Sequence, residues 1–224
     1  MKNEQITIYT AIDELQRNFR KLNELYFEGL LEKPVITLLT DSLGGSYGWI
    51  SVNKVWSTKD KKYYREINIT AEYLNREPSL IITTLLHEMS HLYNLQNNIQ
   101  DCSRGGTYHN AKFKEVAERV GLIVEKSEKY GFCVTKPSEE LIKYVKENCR
   151  AGCFKLERMK TYKDGTPKVT IGTGENGREK TVSRTKQTMR KYSCPKCSLT
   201  IRATKNIDGR LMCVDCVEVL VSGE

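Results

Sequence analysis

The run His87-Glu88-Met89-Ser90-His91 sets two imidazoles four residues apart, with a carboxylate beside the first. On a helix, residues four apart lie one turn apart on one face. Both imidazoles can then offer a nitrogen to a single ion. Glu88 lies about 100° around the helix from His87, near enough to reach a water on that ion without ligating it. The chemistry such a set performs is hydrolysis: a zinc ion activates water and the carboxylate acts as general base. The flanks strengthen this reading. Ile81, Ile82, Leu85, Leu86, Met89 and Leu92 make the segment apolar over most of its circumference, and Thr84, His87, Glu88 and His91 form one polar stripe. A titratable stripe on a buried helix is costly unless paired or metal-bound. The competing reading, a chance match, suits an exposed amphipathic helix better than this one.

A catalytic zinc usually takes three protein ligands. The chain has three histidines, and the third is His109. The pattern predicts it at the N-terminal end of the next helix, in phase with Phe113, Val116 and Val120, whose face must pack inward. Glu115 and Glu118 remain alternative third ligands, although they flank that apolar stripe. The compact pattern H-E-x-x-H-x-x-G-x-x-H is absent, because Asn94 and Asn97 stand at its last two positions.

A second set of ligand types lies near the C-terminus. Cys194-Pro195-Lys196-Cys197 and Cys213-Val214-Asp215-Cys216 form C-x2-C-x15-C-x2-C, the spacing of a structural zinc site. Between the pairs, Leu199 to Ala203, an Asn206-to-Gly209 turn and Arg210 to Met212 predict one zinc-ribbon hairpin. Four thiolates close the coordination shell, so this zinc folds the module and does not catalyse. Redox-active C-x-x-C pairs would need a thioredoxin-like context, which is lacking. The expectation is therefore two Zn2+ per chain, one catalytic and one structural.

The elements that must position these residues follow from periodicity. Leu15, Phe19, Leu22, Tyr26 and Leu30 predict a helix over Ile12 to Leu31. Short strands are expected at Val35 to Leu39, Trp49 to Val52 and Tyr63 to Thr70, the last with Ile67 and Ile69 alternating with Glu66 and Asn68. The His-bearing helix runs from about Ser79 to Asn97 after Pro78. A third helix runs from near His109 to Gly121, followed by a β-like run over Leu122 to Val124 and an amphipathic stretch over Glu139 to Cys149. The domains expected are 1–154, a basic flexible linker at 155–190 with a weak hairpin at Lys168 to Lys180, and a ribbon at 191–224, too short to hold a core without metal.

Composition bounds the partners. The 224 residues are 39% hydrophobic and 29% charged, with no apolar run near the ~20 residues that span a bilayer. The N-terminus lacks a signal peptide's apolar core, so a cytoplasmic protein without a membrane partner is expected. In a reducing cytosol the eight cysteines favour metal over disulfides. Net charge is +8, unevenly spread. Residues 155–212 carry 15 Lys and Arg against 5 Asp and Glu, a net of +10. That excess points to a polyanion, most often nucleic acid, contacted through Arg202, Lys205 and Arg210, with Tyr192 available for base stacking. A solvated linker is the plainer alternative.

Arg65-Glu66-Ile67-Asn68-Ile69, Leu85 to Asn94 and Ser103 to Phe113 together resemble the SprT-like proteins, relatives of the eukaryotic DNA–protein crosslink protease Spartan. The similarity covers roughly Thr10 to Gly121 and resumes at Cys194 to Thr204. It implies an α+β zincin-type domain, a small sheet packed on the H-E-x-x-H helix, and a C-terminal zinc ribbon; the basic linker between them is no part of the family pattern and is expected from composition alone. It implies zinc ligands at His87, His91 and His109, a catalytic Glu88, and a peptidase whose partners are DNA and DNA-bound proteins. A nucleic-acid-binding protein without activity and a peptidase with no DNA link are the alternatives. Tyr108 and Tyr47 are candidate donors to the oxyanion that peptide hydrolysis generates.

Overall fold

Thr7 starts the first helix, α1 (Ile8–Phe27), through a reciprocal cap in which Thr10 N–H donates to Thr7 Oγ1 at 3.2 Å and Thr7 N–H to Thr10 Oγ1 at 3.0 Å. It stops where Glu28 and then Gly29 turn left-handed, at φ 56° and 74°. The helix thus begins and ends earlier than the expected 12–31. Leu15, Phe19 and Leu22 are buried as their spacing requires, whereas Leu30 falls beyond the helix and is exposed. The computed structural model describes residues 6–40, 45–159, 170–173, 179–181, 189–204, 206–207 and 209–222, the segments 170–173 and 179–181 by backbone alone. The chain divides into two compact units, Met1–Lys160 and Thr161–Glu224.

The first unit is a mixed α+β structure of four α-helices and small sheets among the described residues. Its centre is α2 (Pro78–Gln96), opened by Pro78 in the position where a missing N–H costs nothing. Ile81, Ile82, Leu85, Leu86, Met89 and Leu92 are fully buried, each stabilising by roughly 1.5–3 kcal/mol relative to exposure. Around α2 pack α1, α3 (Ala111–Arg119) and α4 (Glu139–Asn148).

Strands β1 (Val35–Thr37), β2 (Gly48–Ile50) and β5 (Glu66–Ile69) form a sheet in the order β1-β5-β2, parallel on one side and antiparallel on the other. Between β2 and β5 the chain makes a separate hairpin, β3 (Trp56–Ser57) with β4 (Tyr63–Tyr64). All four residues of the central β5 are buried, including Glu66 and Asn68, which alternation had set on a polar face. That face is covered, and its oxygens accept hydrogen bonds: Thr37 Oγ1 donates to Glu66, Trp56 Nε1 donates to Glu66 Oε2 at 2.9 Å, and Leu39 N–H donates to Asn68 Oδ1 at 2.7 Å, while Asn68 Nδ2 is buried without a partner among the described residues. A second sheet has the order β6-β7-β9-β8, with β6 (Cys102–Ser103), β7 (Tyr108–His109), β8 (Leu122–Ser127) and β9 (Gly131–Pro137).

In the second unit, β10 (Thr170–Thr173) pairs antiparallel with β11 (Glu179–Thr181), where a weak hairpin was expected. Strands β12 (Arg190–Ser193), β13 (Thr200–Ala203) and β16 (Val221–Ser222) make one sheet in the order β13-β12-β16. β14 (Met212–Cys213) pairs with β15 (Glu218–Val219). The expected single hairpin across the Asn206-to-Gly209 turn is therefore replaced by two, one around each cysteine pair. Each C-x2-C turns its own strand back, with Ser198 N–H donating to Cys194 O at 3.0 Å and Val217 N–H to Cys213 O at 2.8 Å.

One ion cluster fastens α1 to the end of α4. The fully buried Glu14 carboxylate accepts from Arg17, from Asn18 Nδ2 at 2.7 Å, and from both the backbone and the guanidinium of Arg150. Burial works against the charge, but these donors win and hold Glu14 at about 2. A folded-state pKa below the usual 4.5 contributes stability above pH 4.5 that is lost as pH falls toward 2. Glu14→Gln is therefore expected to lower unfolding stability by about 2–3 kcal/mol at neutral pH. In denaturant unfolding series the gap between native and variant chains should close on acidification; a gap constant from pH 7 to pH 3 would contradict this assignment.

Candidate metal centre

His87 and His91 project from one face of α2, as their spacing requires. His109 comes from strand β7, not from α3 as expected; Asn110 caps α3 instead, its Oδ1 accepting from Lys112 N–H at 2.8 Å. The strand delivers His109 because β7 is held on both sides, by Cys102 of β6 and by Gly131 of β9. Gly131 has φ +68°, and a Cβ there would stand 2.1 Å from the His109 carbonyl oxygen, so no other residue fits beside this histidine.

The three Nε2 atoms converge. They stand 3.3 Å apart for His87–His109, 3.2 Å for His87–His91 and 3.1 Å for His91–His109. Ligands set tetrahedrally at about 2.0–2.1 Å from a zinc ion stand about 3.3–3.4 Å apart. His91 Nδ1 bonds Asp101 Oδ2 at 2.7 Å, which places the proton on Nδ1 and the lone pair on Nε2. His87 Nδ1 lies 3.2 Å from Thr135 Oγ1 of β9. Burial first, and then the neighbouring imidazoles, push His87 well below its usual value, and burial and His91 push His109 down to about 4. Three neutral imidazoles aiming their nitrogens at one point repel each other unless a cation sits between them. The donor set therefore fits zinc. Glu115 and Glu118, the alternative third ligands, are exposed, and Glu118 faces Lys114 at 3.6 Å.

The floor of the site is the fully buried Phe113 ring, whose centroid lies 4.6, 4.4 and 4.7 Å from the rings of His87, His91 and His109. Glu88 is buried beside the cluster, and burial pushes its carboxyl up to about 7, a value suited to taking and returning a proton near neutrality. Gly48 of β2 closes against it. A Cβ there would meet Thr84 Cγ2 at 2.8 Å, Asn68 O at 2.9 Å and Glu88 Oε1 at 3.3 Å.

Sequence reasoning missed three contributors. Asp101 is buried and also accepts from Asn94 Nδ2 at 3.0 Å; it lies in a polar loop and carries no spacing signal. Thr135 sits on a strand that periodicity did not reveal. Arg76 stacks on Tyr47 at 4.1 Å and donates to Thr84 Oγ1 at 3.0 Å, one helical turn before Glu88, with no carboxylate partner among the described residues; burial lowers its pKa. Of the candidate oxyanion donors, Tyr47 thus packs under Arg76 and Tyr108 under Arg104.

The Cys194, Cys197, Cys213 and Cys216 sulfurs all lie within 4.8 Å of one another. Cys197 and Cys213 are 3.6 Å apart, too far for a disulfide and close to the spacing of thiolates around one zinc. The backbone N–H of Cys197 draws Cys194 down to about 7, whereas the Cys197 side chain holds Cys216 up at about 12. A divalent cation resolves that conflict, so this set fits zinc as well. Arg202 is exposed on β13, directly opposite Lys191 of β12, and Arg210 is exposed ahead of β14. Lys205 lies outside the described residues. Tyr192 cannot stack on bases. It is fully buried in the ribbon core, with its hydroxyl accepting from Ile207 N–H at 3.1 Å, because a module this small needs its largest side chain inside.

Compared with protein families, the chain matches the SprT-like family over residues 15–136, more than half of its length. No curated protein and no solved structure matches it. No helix among the described residues is long and apolar enough to cross a membrane.

Removing the carboxylate behind His91 should loosen the first site. Asp101→Ala is expected to lower zinc affinity there by about 10–100-fold, with Asp101→Asn between it and the native chain, read by chelator competition. Native affinity in Asp101→Ala would show that His91 needs no such support. Gly131→Ala should empty the same site by displacing His109 while leaving the cysteine site loaded.

Proposed function

The chain belongs to the SprT-like family, whose members are metallopeptidase-like, and on that premise we propose that it is a zinc-dependent endopeptidase acting on proteins bound or crosslinked to DNA. The single observation that carries the hydrolytic reading is the convergence of three Nε2 atoms at 3.1–3.3 Å with the buried Glu88 alongside. In this reading the first unit is a zincin-type domain, with the β1-β5-β2 sheet packed on the H-E-x-x-H helix. His87, His91 and His109 would hold zinc, which when bound would supply a Lewis acid to polarise the scissile carbonyl and acidify water. Glu88 takes the proton of the attacking water and returns it to the leaving amine. Asp101 keeps His91 in the tautomer that presents Nε2, and Phe113 keeps water from the rear of the site. Cys194, Cys197, Cys213 and Cys216 would hold a second zinc, which would keep the ribbon folded. A reducing cytoplasm suits that thiol set.

The DNA part of the reading rests on charge. Residues 155–212 carry a net +10. On the ribbon, Lys191 and Arg202 face each other across two strands, an unfavourable pairing unless an anion lies over both. Arg210, and Lys205 in the sequence between them, extend the same chemistry.

Glu88→Gln is expected to keep both metals and the fold while losing peptidase turnover by about 10²–10⁴-fold. The assay digests a DNA-binding protein with and without DNA; unchanged turnover removes Glu88 from the mechanism. Metal analysis should return two zinc equivalents in both chains, falling to one in His109→Ala. Joint Arg202→Glu and Arg210→Glu substitution should weaken DNA binding and flatten its salt dependence, leaving DNA-independent digestion intact. Equal DNA affinity at matched salt would remove the ribbon from the DNA contact.

A further inference from the structure

Stacking on unpaired bases needs an aromatic face open to solvent beside free cations. Five partly exposed aromatic rings of the first unit are already covered by the chain's own cations. Arg76 lies over Tyr47, Arg104 over Tyr108, Lys129 over Tyr130, Arg119 over Tyr93, and Lys114 and Lys126 over Phe132.

The β3–β4 hairpin differs. Trp56 is 44% exposed and Tyr63 55% exposed, and among the described residues no cation or second ring lies over either one or over Tyr64. The register sets Trp56 opposite Tyr64 on one face and Tyr63 opposite Ser57 on the other. The Trp56 indole N–H is tied at 2.9 Å to the buried Glu66, so its edge is anchored while its face stays open. An aromatic fixed in this way loses little freedom when a base stacks on it. Charge follows the same outline. Residues 52–65 hold five Lys and Arg against one Asp. Lys54 and Arg65 pair with Glu32, but Lys59, Lys61 and Lys62 at the tip are exposed and have no ion-pair partner among the described residues. Neither β3 nor β4 is paired to a third strand among the described residues.

We propose that this hairpin is a contact for single-stranded nucleic acid, which passes over its free edge so that bases stack on Trp56 and Tyr64 on one face and on Tyr63 on the other, with phosphates meeting Lys59, Lys61 and Lys62. The proposal rests on the nucleic-acid part of the function above and moves part of that contact onto the metal-bearing unit. Open rings give unpaired bases a surface that a duplex, with its bases already stacked, cannot use.

The test is binding of a labelled oligothymidylate of about 15 nucleotides to the full-length chain, across a salt series and without a peptidase readout. Joint Lys59→Gln, Lys61→Gln and Lys62→Gln substitution is expected to weaken binding at least about tenfold and to reduce the slope of log affinity against log salt by about 2. Tyr63→Ala should cost the oligothymidylate roughly tenfold and leave duplex binding unchanged. Both variants remove exposed side chains and so keep the fold. Trp56→Ala strips a donor from Glu66, so its loss of binding counts only alongside a native melting curve. Native affinity in the lysine and Tyr63 variants, with Arg202→Gln and Arg210→Gln impaired in parallel, overturns the hairpin and spares the ribbon. A native chain that binds no oligonucleotide at low salt overturns both. Equal loss of single strand and duplex in Tyr63→Ala overturns base stacking.

Discussion

Three neutral imidazole nitrogens held within 3.1–3.3 Å of each other above a buried phenyl ring repel one another unless a cation lies between them. Protonation does not supply it, because burial pushes His87 and His109 toward the neutral form. Much of the first unit can be understood as the means of holding that arrangement. A helix buried around most of its circumference carries two of the nitrogens, a strand clamped between two neighbours carries the third, and one phenyl ring supports all three from below. The two glycines that admit close backbone approach, Gly48 and Gly131, stand at the two places where sheet meets site.

Buried charge is treated in three ways in this unit. Glu14 is saturated with donors and stays ionised, which makes it structural. Asp101 is also held below its usual value, with the His91 hydrogen bond and charge outweighing burial, and its charge is directed at a ring. Glu88 has no donor comparable to either, and burial dominates, leaving its carboxyl near neutrality. The contrast between a pKa of about 2 and one of about 7 on two buried glutamates separates a fastening group from one suited to moving a proton.

The ribbon meets the opposite problem, having too little apolar surface. Its core is Tyr192, Leu220 and two cysteines, with a few partly buried neighbours. With so small a core, the four-thiol cluster has to contribute folding energy directly. This also explains why its one large aromatic is committed to the interior and unavailable to a ligand. Open aromatic faces beside free lysines occur instead on the β3–β4 hairpin of the other unit.

Local spacing was enough to read the i, i+4 histidines on a helical face, the two C-x2-C pairs, the apolar stripe of α1 and the concentration of positive charge, because each is a property of neighbours in the chain. Membership of the SprT-like family was legible too, since the motifs that carry it are contiguous. Tertiary structure alone decided the rest. His109 was expected at the site by a helix phase that does not exist: it reaches the imidazole cluster from β7, through pairing with β6 and β9. Asp101 and Thr135 orient imidazoles from 10 and 48 residues away in sequence, and no periodicity registers a contact of that kind. Alternation along β5 reports only that its two faces differ, not what covers them, so the burial of Glu66 and Asn68 was left to the tertiary structure. Tyr192 looked available for the same reason: a side chain's chemistry is written in the sequence, but whether its surface meets water depends on what the rest of the chain packs against it.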